Sequence, residues 1–577
     1  MVKMVIEENP QYDAHIACVE EKDGVGLYRL SVKNLTMEKP DELTVRFRLH
    51  ADGAFSVWNP SCGTNRALWP EWRKSRHASR IASGAPVQTV IGMDGKNKLT
   101  VAVLDVKSPM DIGTGMSEDT AELCCAITFF TLPMQRFDQY ETVIRIDTRA
   151  IRYEQAIREV GDWWETRYEK AQIPEVARMP VYSTWYSFHQ ALDMRELEIQ
   201  CRMAKEMGME SIIVDDGWQT DDNNRGYAYC GDWEPTARKM GDMREFSDMV
   251  HRAGLKILLW FSVPFVGKHA GVWEQFADMT LQKPAMGCDC LDPRYKEVRE
   301  YLVDTYVKAV TEWNLDGLKL DFIDSFVLSD QTPEQDERRD IAILEDAVET
   351  LLADIRAALV QVKPDICIEF RQTYTGPGVT ACGNMLRVAD CPADAIKNRV
   401  GSVDLRLLAG NTPVHSDMLL WDLEEAAETA ALQIINALFC VPQISMRLEQ
   451  LPKSHAAMLR YYMDLWLQYR EVLLTGDLQA EHPEANYSLV RAAHDGKLVA
   501  AAYSGNVLPI DAAYDEMVFV NGTGGGRLLI DQAGDGQSWH YTITACTGQV
   551  IACGETAPQD GVLGFSVPPS GVLVLNK

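Results

Sequence analysis

The rhythm of apolar and polar positions changes twice along the chain, and each change predicts a different architecture. Up to about residue 165 apolar residues recur at every second position in short runs, with Gly, Asn, Asp and Pro between them. Val45–Leu49, Leu99–Leu104 and Thr142–Ile146 carry this period, which turns one face of a strand to a core and the other to water. An antiparallel β-sandwich is expected for residues 1–165, with a helical stretch from Tyr153 to about Ala171 leading out of it.

From about Pro180 short continuous apolar runs alternate with amphipathic segments, the pattern of parallel strands covered by helices. The predicted strands are Val181–Tyr186, Ser211–Asp216, Lys256–Ser262, Gly317–Phe322, Ile366–Arg371, Met385–Asp390, Pro413–Met418 and Val441–Met446. Helices are expected at Met194–Glu206, Met243–Ala253, Lys296–Glu312, Glu337–Val362, Glu424–Phe439 and His455–Tyr469. This suits a (β/α)8 TIM-type barrel over residues 166–476 better than a doubly wound sheet, since no Gly-x-Gly-x-x-Gly follows the first strand. After about Gly476 period-two runs return, at Ser488–Arg491, Leu498–Tyr503, Arg527–Ile530, Gly548–Cys553 and Val572–Asn576. They predict a small antiparallel all-β domain over 477–577. The fold class is therefore α/β, a central barrel between an N-terminal sandwich and a C-terminal β-domain.

Composition narrows the partners. A formal net charge of -28 at pH 7 repels nucleic acid and anionic membranes, so neither is expected. No apolar run is long enough to span a membrane or to act as a signal segment, and a cytoplasmic location is expected. The 14 cysteines are scattered. Their closest pairs, Cys124–Cys125 and Cys288–Cys290, lack the repeated Cys-x-x-Cys spacing of a zinc site, so no metal or cofactor is expected.

The chemistry gathers at strand ends. Trp313–Phe322 reads as a buried strand that presents Lys319 and Asp321 on one face, two residues apart. A cation beside a carboxylate keeps it ionised, and an ionised, oriented carboxylate is a nucleophile for an anomeric carbon. The bland alternative is a strand-end ion pair without chemistry. Val214-Asp215-Asp216-Gly217-Trp218 ends the second strand with two carboxylates suited to sugar hydroxyls. Trp185 and Tyr186 on the first strand and Trp260 on the third offer faces for a pyranose ring, and Trp233 a wall from a long loop. On the fifth strand Glu369 and Arg371 share a face and are expected to pair. On the sixth, Arg387 is followed by Asp390, a proton donor to a leaving oxygen if its pKa is raised by burial or by Asp321. Asp394 begins a helix, and His415 at the seventh strand end is the histidine placed best to line the pocket.

These residues resemble the retaining α-galactosidases of glycoside hydrolase family 36 and its clan. Lys319-Leu-Asp321 looks like the family's Lys-x-Asp nucleophile motif, and Val214–Trp218 resembles its Asp-Asp-Gly-Trp strand end. Gly231-Asp-Trp233, Phe246 and His251–Lys256 are similar to the connection toward its third strand, and Arg387–Asp390 to its Arg and acid/base Asp. The resemblance implies a barrel hydrolase with Asp321 as nucleophile and Asp390 as acid/base. Asp215, Asp216, Lys319, Arg387, Arg371, Trp185, Trp218 and Trp260 would then serve the substrate, a glycoside or oligosaccharide. It implies no cofactor or metal and leaves a homo-oligomer open. Two departures stand out. Glu369–Tyr374 replaces the family's Cys-x-x-Gly-x-x-Arg loop at the C2 hydroxyl, and Trp260-Phe-Ser-Val-Pro264 replaces Trp-x-Glu-Pro-Glu. A galactoside modified at C2 is thus among the expected substrates. The alternatives are a galactosyl-transferring transglycosylase of the raffinose-synthase kind, a non-catalytic carbohydrate-binding protein and a metal-dependent barrel enzyme. Lys319 facing the acidic site opposes the last.

Overall fold

The computed structural model describes residues 2–73, 75–281, 286–329, 331–532, 538–557 and 561–577. Two antiparallel sheets, of five and six strands, fill the first region. Strand Val25–Asn34 shows why: its inward residues, Tyr28, Leu30 and Val32, are buried while alternate positions meet solvent. They pack against Val45, Phe47, Ile112 and Ile127 from the facing sheet in one shared core. This is the expected sandwich, and helix Tyr153–Glu165 leaves it on schedule.

The central sheet has eight parallel strands: Val181–Ser183, Ser211–Val214, Lys256–Ser262, Gly317–Asp321, Cys367–Arg371, Met385–Arg387, Val414–His415 and Gln443–Ile444. In chain order they are strands one to eight. Strand eight pairs with strand one, and a parallel bridge between His415 and Val441 joins strand seven to the eighth, closing the barrel. The strands are buried on both faces, which explains their continuous apolar runs. Gly317 is needed where strand four passes strand five, because a Cβ there would lie 2.5 Å from the Cys367 carbonyl oxygen. Helix Ala395–Ala409, capped by the Asp394 side chain, lies between strands six and seven. The sequence pattern marks its start and misses its body, because eleven of its fifteen residues are buried and no amphipathic stripe remains.

The C-terminal region holds a seven-stranded and a three-stranded sheet. It is β-structured as expected, but mixed and not purely antiparallel. Lys497–Ala502 runs parallel to Glu516–Asn521, and Val507–Ile510 parallel to Leu528–Gln532. Period-two patterning reports strand faces and is blind to strand direction. Among the described residues no helix is long and apolar enough to cross a membrane.

One buried carboxylate fastens the three regions together. Asp404, on the helix after strand six, accepts from Trp58 Nε1 at 2.9 Å, Arg66 Nη2 at 2.8 and 3.0 Å and Tyr487 Oη at 2.5 Å. Trp58 and Arg66 belong to the sandwich region and Tyr487 to the C-terminal one. Sandwich loops also brace the barrel mouth: Arg80 donates to the Asp324 and Phe326 carbonyls, and Gly84 N–H to the Thr373 carbonyl. Asp404→Ala would leave Arg66 buried without its partner, so a loss of about 3–5 kcal/mol is expected. Calorimetric unfolding measures it, and a melting curve unchanged from wild type would show that the carboxylate does not tie the regions together.

Candidate active site

Strand four delivers Asp321 to the barrel mouth with only 6% of its surface exposed. Its Oδ1 accepts from Arg371 Nε at 2.7 Å, Tyr374 Oη at 2.6 Å and the Phe322 backbone N–H at 2.8 Å. Its Oδ2 accepts from Trp260 Nε1 at 3.1 Å. Phe322 adopts a left-handed φ of 64°, uncommon for an aromatic residue, at the turn that ends strand four. Burial alone would raise the Asp321 carboxyl. The charges of Arg371 and Lys319, the Tyr374 hydroxyl and the more distant Arg387 outweigh it and hold the group well below the usual carboxylate range.

Lys319 shares a strand face with Asp321 but makes its direct bond elsewhere. Its Nζ crosses the barrel to Asp215 Oδ2 at 2.5 Å, and both side chains are buried. The lysine stem reaches the next anion over while its charge still acts on Asp321. Asp216 N–H donates to Asp215 Oδ1 at 2.9 Å. Both oxygens of Asp216 are taken by amides, Gln190 Nε2 at 2.7 Å and Gln219 Nε2 at 2.7 Å. Gly217 permits this approach: at φ 119° a Cβ would strike the Gln190 backbone at 2.5 Å. Burial raises Asp216 to about 6, against the pull of the two amides.

A second network surrounds Arg387, which is 1% exposed. Its Nη1 lies 2.6 Å from Asp417 Oδ1 and 2.9 Å from Asp390 Oδ1, and its Nε 3.7 Å from Glu369 Oε1. The expected Glu369–Arg371 pair does not form. Both point inward, but Glu369 lies in the layer of Lys319, deeper in the barrel, and binds Gln443 Nε2 at 2.5 Å. Arg371, one layer nearer the mouth, turns to Asp321. Asp390 stands in the loop beyond strand six with its side chain 53% exposed. Burial pushes it up, yet Arg387, Lys319 and Arg371 pull it down further, so its pKa lies below the ordinary value. The expected raised pKa is therefore not found here, because Arg387, Lys319 and Arg371 together outweigh burial and the charge of Asp321.

The aromatic candidates separate. Trp260 touches Asp321. Trp218 is fully buried, donates to the Trp260 carbonyl at 2.9 Å and stacks on Trp233, so both belong to the core behind strand two. Trp185 and Tyr186 lie not on strand one but in the helical turn Trp185–Phe188 that follows it. Trp185 stays partly exposed, edge-on to His189. Tyr186 Oη donates to Asp417 Oδ2 at 2.9 Å. His415 is fully buried and bonds the Ala177 carbonyl at 2.8 Å, so it lines no mouth.

Three residues of the site escaped the sequence reading. Asp417 follows His415 by two, the same spacing that singled out Asp321, and that signal was available. Tyr374 lies in the turn after strand five, where its N–H donates to the Arg371 carbonyl at 3.1 Å. Tyr227 comes from the long loop after strand two, beside Phe322 and Trp260, and no local pattern marks it. Among the described residues no group of three or more His, Cys, Asp or Glu side chains is arranged to hold a metal ion. Lys319 occupies the Asp215 oxygen that a metal site would need.

The family model for melibiase matches residues 158–376. α-Galactosidase Mel36A of Lactobacillus acidophilus is 26% identical over 164 residues, 27% of this chain and 22% of that protein. α-Galactosidase AgaA of Geobacillus stearothermophilus is 23% identical over 167 residues, again 27% and 22%. These matches span about a fifth of the relatives' length. Solved structures extend the likeness in fold. The galactosidase domain of the α-galactosidase–sucrose kinase AgaSK superposes with a TM-score of 0.67 at 12% identity, covering 99% of this chain and 81% of that one. The G. stearothermophilus AgaA in complex with raffinose gives 0.65 at 12% identity, covering 98% and 81%. The resemblance read from the sequence is thus found again, in sequence over part of the barrel and in fold along nearly the whole chain.

The burial of Asp216 makes a prediction about pH. Native Asp216 holds its proton more tightly than the unfolded chain does, so its contribution to stability is complete below the unfolded pKa. It is lost as pH rises through about 6. Asp216→Asn should flatten this part of the stability–pH curve between about pH 4 and 6. Urea unfolding of both proteins across that window tests it, and parallel curves would contradict it.

Proposed function

We propose that the chain is a retaining glycoside hydrolase acting on terminal α-galactosides or closely related modified α-glycosides. One observation carries this reading: a buried carboxylate kept ionised by surrounding cations, with a second, half-exposed carboxylate tethered at the same mouth. Asp321 attacks the anomeric carbon. Asp390 gives a proton to the departing oxygen and then takes one from water as the glycosyl-enzyme ester is hydrolysed. Asp390 is drawn toward its ionised form by Arg387, so the acid form depends on the substrate. A leaving group seated over this half-exposed carboxylate removes its water and raises its pKa. The Lys319–Asp215 pair, buried at the mouth, would meet sugar hydroxyls. Arg371 and Tyr374, in place of the family's C2 loop, are engaged with the nucleophile, which favours C2 recognition unlike the family's and keeps C2-modified galactosides in view. Raffinose, found with one relative's structure, is a natural first substrate.

Azide rescue tests both roles at once. Asp321→Ala should lose turnover and, with azide, give the β-galactosyl azide. In kcat/KM, Asp390→Ala should lose about 10²–10⁴-fold on raffinose and far less on 4-nitrophenyl α-galactoside, whose leaving group needs little protonation. With azide it should give the α-azide. The same anomer from both variants, or near-normal turnover by Asp321→Ala, would contradict the assignment.

A further inference from the structure

The two oxygens of Asp321 are held very unequally. Oδ1 has three donors, Arg371 Nε, Tyr374 Oη and the Phe322 amide, all within 2.8 Å. Oδ2 has Trp260 Nε1 at 3.1 Å. A carboxylate oxygen offers two in-plane lone pairs, so Oδ1 is saturated and Oδ2 keeps one free. The clamp on Oδ1 is itself rigid. Arg371 Nη1 donates to the Gln372 carbonyl at 2.9 Å, and its guanidinium carbon lies 5.3 Å from the Phe322 ring centre and 5.4 Å from that of Tyr374. Tyr374 is fully buried.

Resting on the glycosidase reading, we infer that Oδ2 is the atom that bonds the anomeric carbon, and that Tyr374, with Arg371, is a positioning residue for the second half of the reaction. In the first half the Oδ2–C1 bond forms and the C1–O bond to the leaving group breaks. Its electron pair leaves with that oxygen, which takes a proton from Asp390. Oδ1 becomes the ester carbonyl and its donors stay in place. In the second half water oxygen bonds C1, its proton passes to Asp390, and the C1–Oδ2 pair returns to the carboxylate. A carboxylate accepts hydrogen bonds more strongly than an ester carbonyl does. Donors on Oδ1 therefore stabilise the free anion, restraining ester formation and speeding ester breakdown.

Tyr374→Phe removes one of these donors and keeps the ring. On 4-nitrophenyl α-galactoside kcat should fall about 10- to 100-fold, the share of one hydrogen bond to a charged group. KM should fall with it, leaving kcat/KM within about threefold of wild type. A burst of nitrophenolate should appear, and intact-mass spectra should show a galactosyl adduct at steady state. If kcat/KM falls as far as kcat, or neither changes, the inference fails. A second measurement stands should the variant not fold: the crystal structure of wild type esterified by a galactose-configured cyclophellitol epoxide. Carbon bonded to Oδ2, with Tyr374, Arg371 and the Phe322 amide still on Oδ1, supports the inference, and carbon on Oδ1 overturns it. Wild type that neither labels nor cleaves α-galactosides would instead fail the hydrolase reading on which the inference rests.

Discussion

The structure turns on the requirement that a carboxylate stay charged where burial opposes charge. Taking Asp321 out of water favours its neutral form, and a neutral carboxyl is no nucleophile. The barrel meets this with cations placed by register. Lys319 stands two residues before Asp321 on its own strand, Arg371 ends the next strand, and Arg387 ends the one after, paired with Arg371 across the sheet. Each is buried or nearly so, where charges act on one another with little screening. The cations need partners of their own, and these account for much of the mouth: Asp215 under Lys319, and Asp417 and Asp390 on Arg387.

The same balance sets the two carboxylates apart. Asp321 is enclosed and held by four donors, whereas Asp390 shares Arg387 with Asp417 and keeps half its side chain in solvent. In the proposed mechanism the nucleophile must be an anion whenever it is not esterified, while the acid/base group must gain and lose a proton within each turnover. Enclosure serves the first and exposure the second, because a half-exposed carboxyl responds to what covers it. The sandwich region takes part by bracing the loops that follow strands four and five, which carry Phe322 and Tyr374.

Much of this was legible in the chain, and the losses have physical causes. Strand and helix periods mark the sandwich and nearly every barrel element, because burial on one or both faces imposes a fixed rhythm. The helix Ala395–Ala409 escaped because burial on all sides erases that rhythm. Period two correctly turned Lys319, Asp321, Glu369 and Arg371 inward. It carries no depth or reach, so it does not tell that Lys319 acts on Asp321 by charge while bonding Asp215, or that Glu369 bonds Gln443 and not Arg371. Tryptophan is ambiguous in sequence, being as suited to a core as to a sugar face. Trp218 and Trp260 lie at neighbouring strand ends, yet one is core and one touches Asp321. Tyr374 and Tyr227 arrive on loops, where no period exists to read.

The central claim is that neighbouring cations keep Asp321 ionised, and Arg371 is the cation bonded to it. The most direct measurement is the pH dependence of kcat/KM on 4-nitrophenyl α-galactoside for wild type and Arg371→Met. With the guanidinium gone, the acidic limb should lie about one to three pH units higher, the range of a nearby opposite charge. An acidic limb at the same pH in both proteins would contradict the account.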